Sequence, residues 1–297
     1  MTFSKLDSMR YTSHIEDCMQ AVAAAGEYET DIFLVQMVKL QKIVEEVRVS
    51  GLYNDSSLKG PVGVYVRSFQ TALQEYKRAL PANLQQNSQY YQSCRSCITK
   101  LTLWCPQASI LLHYFSAEIQ LYQICFQIPP PADDNSRFQR MEVLSACLSA
   151  VQSFFEVWFS IPPELYFSLS IVHFGQLTRS LLVASKLCLF DGEDWDLSHV
   201  RGSIHISNII EEMASRMEEA STTFGRERHV SPLALSARNL RLGKAWYEAK
   251  LAASTVAADP HTQANGVNAD NIVIGNQFDI WSEDFWRGFT TNWDMVL

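Results

Sequence analysis

Charge is scarce in this chain, and basic charge most of all. Only 19% of its residues are Asp, Glu, Lys or Arg, and 32 acids outweigh 24 bases for a net charge of −8. No run of Lys or Arg exceeds two residues. Nucleic-acid binding needs clustered cations to neutralise phosphates, so this balance argues against direct DNA or RNA contact by the chain itself. The first residues, MTFSKLDSMRYTSHIED, contain no apolar core of a secretory signal. β-strand alternation is nearly absent; only residues 62–66 alternate briefly. No internal repeat, heptad run, Walker loop, dinucleotide fingerprint, nucleophile elbow or zincin His pair occurs, so no known catalytic motif marks the chain as an enzyme. Seven cysteines at irregular spacing form an odd set, which reads as reduced intracellular thiols rather than a disulfide framework.

What is present is apolar and helical. Hydrophobic residues make up 47% of the 297, enough to bury a sizeable core. The stretch 154–201 organises the rest. Its middle, residues 165–190, carries Leu165, Phe167, Leu169, Ile171, Phe174, Leu177, Leu181 and Leu187 on nearly every face. A helix apolar all round belongs inside a protein or a membrane. His173, Gln176, Arg179, Ser185 and Lys186 interrupt it too often for a bilayer span, so no membrane is expected. The spacing predicts one helix started by Pro162 and Pro163 and ended by Gly192. The expected fold is all-α, a single large helical domain of about eight helices around this buried one.

Around that centre, helices are expected over 15–25, closed by Gly26, and after the cap types Thr30 and Asp31. Lys39, Lys42, Glu45, Glu46 and Arg48 fall mainly off the apolar stripe of that second helix. Others are expected over 64–80, 109–126 with Pro106 as a break or kink, and 138–159. Asp196 caps a helix running through Val200, Ile204, Met213 and Met217, with Glu211, Glu212, Glu218 and Glu219 as a solvated face. Pro232 opens one more, with Leu235, Leu240, Leu242, Trp246 and Leu251 as its apolar residues. The domain so defined covers 13–255. Residues 256–276, with Asp259-Pro260 and Asn265-Gly266, read as a linker. Residues 277–297 mix acids with Trp281, Phe285, Phe289 and Trp293 at four-residue steps. Such a segment either packs on the core as a last helix or folds on a protein partner such as a coactivator.

Three stretches resemble the regulatory (middle homology) region of fungal zinc binuclear-cluster transcription factors. One is Trp158-Phe159-Ser160-Ile161-Pro162-Pro163, followed by Tyr166, Leu169-Ser170, Gln176-Leu177, Lys186-Leu187 and Asp194-Trp195-Asp196. The second is Glu27-Tyr28-Glu29-Thr30-Asp31, with Leu34-Val35 and Val38-Lys39-Leu40-Gln41 behind it; the third is LLHYFSAEIQLY at 111–122. The likeness covers residues 15–196. The zinc-cluster DNA-binding domain that precedes this region in the family is not among these residues. The resemblance implies an intracellular regulatory domain, nuclear in its setting, that senses a small molecule or a protein; cytoplasmic placement is expected if the cluster module is naturally lacking.

The residues themselves leave two readings of the core polar groups open. His173, Gln176 and Arg179 recur at three-residue steps, so successive pairs are neighbours on one helix face. They form either a satisfied polar seam between helices or, with Trp158, Tyr166 and Phe174, the lining of a pocket. The pocket reading predicts a small hydrophobic metabolite as ligand, with an acidic group for Arg179, and His113 reaching in from a neighbouring helix. If such a site did chemistry, His173 or His113 would be the acid–base group, since a free imidazole titrates near 6.5. Gly175 reads as a close helix crossing. Cys94, Cys97 and Cys105 resemble half of a zinc cluster, but the thiolates of a second half are lacking, so neither a metal nor another cofactor is expected. Three functions fit: a transcription-factor regulatory region, a cluster-less relative reused as a metabolite-binding or biosynthetic protein of secondary metabolism, or an interaction scaffold.

Overall fold

The structure is a computed structural model that describes residues 11–50, 62–81, 84, 106–126, 134–190, 192, 194–224 and 231–257. Among these residues there are nine α-helices, two short 3-10 turns and no strand, the all-α class expected. The chain divides into two compact units, Phe3–Ile161 and Pro162–Leu297. The 13–255 span expected as one helical domain runs through both.

The first unit begins with α1 (Ser13–Ala25). Thr12 caps it, its hydroxyl oxygen accepting from the Ile15 N–H at 3.4 Å. Gly26 ends it at φ 51°, a left-handed conformation that only glycine adopts cheaply, and returns its N–H to the Val22 carbonyl. In α2 (Glu29–Val49) the cap is Tyr28, not Thr30 or Asp31. Asp31 acts three residues into the helix, accepting the Tyr28 N–H at 3.0 Å, which is the return half of a capping box. Glu45 also departs from expectation: it is buried, and accepts the Tyr11 N–H at 2.7 Å. In α3 (Val62–Ala79), Val66, Leu73 and Tyr76 are buried, and the Tyr76 hydroxyl donates to the Gln36 carbonyl of α2 at 3.1 Å.

Pro106 does not kink the next helix but starts it: α4 is Pro106–Tyr122, and proline in a first turn loses no helix bond. Thirteen of its 17 residues are buried, so it shows no single apolar face but burial nearly all round. The reason is its neighbours, since α2, α3 and α5 (Asp134–Ser160) all pack on it. It is the buried hub of the first unit, with a 3-10 turn, Gln123–Phe126, at its end. The segment Arg137–Ser160 of α5 is long and apolar enough to cross a membrane by length and composition, and half of its most apolar window is buried inside the structure.

The second unit opens with a 3-10 turn, Pro163–Ser168. The helix expected from residue 165 starts only at Ile171: Leu169 (ψ 138°) and Ser170 (ψ 157°) are extended and separate the turn from α6 (Ile171–Leu189). The proline pair therefore sets the turn rather than the helix. At the other end, α6 stops at Leu189 before an extended Phe190, so Gly192 is not its terminator. Two side chains satisfy its last carbonyls instead. The Trp195 indole N–H donates to the Leu187 carbonyl at 2.8 Å, and the Arg201 Nε–H donates to that of Cys188 at 2.9 Å. Arg201 adds a cation where the helix dipole is negative. Trp195→Phe removes one of these bonds together with part of the ring's packing and is expected to cost about 1 kcal/mol or more in urea denaturation; an unchanged midpoint would mean that the indole contributes nothing.

Asp196 caps α7 (Leu197–Ser203) as expected, its Oδ1 accepting from the N–H groups of Ser198 at 3.0 Å and His199 at 3.1 Å. The helix is short, however. Ile204 is extended (φ −121°, ψ 103°) and splits the expected single helix into α7 and α8 (Ile206–Phe224). The partner of α8 is α9 (Pro232–Ala257). Ile210, Met213 and Met217 of α8 and Leu233, Ala237, Leu240 and Tyr247 of α9 are buried, whereas Leu242, expected in the core, is 55% exposed. Nor are all four glutamates of α8 simply solvated. Arg241 bonds Glu211 at 2.9 Å and Glu218 through both guanidinium arms, and Lys244 bonds Glu211 at 2.8 Å. Glu211 and Glu218 are seven residues apart, so a single arginine of α9 reaches two carboxylates on one side of α8. These pairs are exposed and screened by solvent, so they add little to stability.

Candidate functional site

The polar residues singled out on the core helix fall in the second unit. Ser170 precedes α6, and its hydroxyl lies 2.8 Å from His173 Nδ1, while the His173 N–H donates to the Ser170 carbonyl at 3.0 Å. His173 is 1% exposed, and this burial pushes its imidazole down to about 4. It is therefore neutral near pH 7, and the premise of an imidazole poised near 6.5 does not hold here. Phe174 beside it is fully buried, and Gln176 and Arg179 further along α6 are half-buried. The Gln176 carbonyl accepts the Ser180 hydroxyl at 2.9 Å. A Cβ added at Gly175 would meet nothing within 4 Å, so among the described residues no helix crosses closely there.

Tyr166, on the 3-10 turn, is fully buried, and its hydroxyl lies beside the Arg216 guanidinium of α8. Arg216 pairs with Glu212 at 2.7 Å one turn earlier. The turn packs on α8, which fixes Tyr166 against that helix. Trp158 and His113 belong to the first unit: Trp158 is fully buried near the end of α5, its ring 6.3 Å from that of Phe154, and His113 is half-buried on α4. So Tyr166, His173, Gln176 and Arg179 share one unit, and the other two lie in the other. Trp281, Phe285, Phe289 and Trp293 lie outside the described residues, as do Cys94, Cys97 and Cys105.

Among the described cysteines, Cys125, Cys147 and Cys188 are buried, and Cys18 is exposed. Burial pushes Cys125 up to about 12, Cys188 up to about 11 and Cys147 well above the ordinary thiol range. These three behave as small apolar core residues and not as thiolate nucleophiles. Among the described residues no group of three or more His, Cys, Asp or Glu side chains could hold a metal ion.

Sequence reasoning passed over one polar group in the first unit. That group is Glu118 of α4, and its partner is Tyr114. The Tyr114 hydroxyl donates to Glu118 Oε1 at 2.7 Å across one helical turn. Desolvation raises the Glu118 carboxyl, against the lowering effects of the Tyr114 bond and the nearby Lys77. Lys77 Nζ of α3 lies 5.1 Å from the Tyr114 ring centroid, so α3 supplies the compensating cation. The signal available was a carboxylate four residues from a tyrosine in an otherwise apolar helix. The first unit also holds a cavity of about 30 Å3 bounded by Gly63, Val66, Gln70, Tyr122, Gln139 and Ala146 among others. That is room for a water molecule rather than a metabolite, and none of the expected site residues lines it.

A family model described as a C-terminal domain matches residues 163–288. The chain is 27% identical over 225 residues to the transcription factor opdL of Penicillium oxalicum, a match covering 74% of this chain and 36% of the relative. It is 18% identical over 274 residues to a transcription factor of Aspergillus terreus, covering 89% of this chain and 44% of that protein. The chain thus spans less than half the length of the curated relatives it matches. No solved structure matches it. These likenesses support a fungal transcription-factor-like family and role for the chain.

Proposed function

We propose that this chain is the regulatory region of a fungal transcription factor, controlling transcription through a ligand or a protein partner and making no DNA contact of its own. The observation that carries the reading is the likeness to the opdL transcription factor over 74% of the chain. The net charge of −8 supports the second half of it, because an acidic surface repels phosphate. On this reading the protein works in the nucleus.

The ligand arm of the proposal rests on the second unit. Tyr166, His173, Gln176 and Arg179 supply a phenol, a neutral imidazole, an amide and a guanidinium within an apolar setting. That chemistry suits a hydrophobic metabolite with an acidic group for Arg179. The partner arm rests on residues 277–297, where aromatics at four-residue steps are mixed with acids and suit a coactivator groove. Affinity purification of the tagged chain from fungal nuclei tests it. Transcriptional coregulators should co-purify, and deletion of residues 277–297 should lower their yield at least tenfold. Equal recovery from the deletion variant would reject the assignment of that segment, and recovery of no coregulator by either form would reject the partner arm.

A further inference from the structure

We draw no further inference here: the strongest candidate, the small cleft between α3 and the start of α5 with exposed Val64 and Phe138 on the same two helices, carries nothing because nothing in the structure shows what covers it.

Discussion

Leu177→Asp is expected to abolish the cooperative melting of the second unit. Leu177 is fully buried in the middle of α6. An aspartate there would either remain charged without a partner or take up a proton and still leave polar atoms unbonded. Either outcome also forfeits the packing of a leucine, and the sum is expected to exceed about 4 kcal/mol, a large share of the stability of any domain. The informative control is Leu242→Asp, the same change at a position of α9 that is 55% exposed. That variant should stay within about 0.5 kcal/mol of the parent. Thermal melting followed by circular dichroism reads both. Similar melts for the two variants would contradict the assignment of α6 as a core helix and of Leu242 as a surface residue.

The second large effect is a loss of stability in mild acid that depends on His173. In the unfolded chain this imidazole titrates near 6.5, and in the fold burial pushes it down to about 4. Between those values the unfolded chain binds the proton and the folded chain does not, so protons favour unfolding. The stabilisation is complete above about pH 6.5 and is lost as the pH falls towards 4; the gap corresponds to at most about 3 kcal/mol. Glu211 and Glu218, held low by their cationic partners, lose their contributions in the same direction at lower pH, but they are exposed and screened. Glu118 has the opposite sign, because its carboxyl is raised by desolvation. Urea denaturation at pH 7, 5.5 and 4.5 should therefore show a falling midpoint in the parent. In His173→Gln, which keeps a polar group near Ser170 but cannot titrate, most of that fall should vanish. An equal fall in both would assign the acid sensitivity to other groups.

How much of this could be read from the residues depended on whether the cause was local. Gly26 and Asp196 were legible because a left-handed glycine and an N-cap carboxylate act within one turn of their own helix. The start of α6 was not. The apolar pattern continues unbroken through Leu169, and nothing in it marks the two extended residues that separate the 3-10 turn from Ile171. The end of α6 was missed because its caps, Trp195 and Arg201, lie eight and thirteen residues from the carbonyls they satisfy. Long range also explains Arg241, whose partners are 23 and 30 residues away. For α4 the sequence predicts a helix; only the three helices packed on it account for its burial nearly all round.

The candidate site divides in the same way. Polar groups inside apolar helices were visible as residue types, and His173 and Tyr166 are indeed buried. Two things were not visible. One was the environment of the His173 imidazole, which decides its charge. The other was the boundary after Ile161, which assigns Trp158 and His113 to one unit and the α6 residues to the other. Periodicity reports which face of a helix is apolar; it does not report which helices will meet.

The most direct measurement fuses the chain to a heterologous DNA-binding module and follows a reporter gene carrying that module's sites in a fungal host. The account predicts a change in reporter output of at least several-fold when the chain is tethered. It predicts no change when the same chain is expressed untethered, because the proposed role includes no DNA contact by the chain itself. A fusion that is stably expressed, enters the nucleus and occupies the sites, yet leaves the reporter at the level of the module alone, would contradict a regulatory role in transcription.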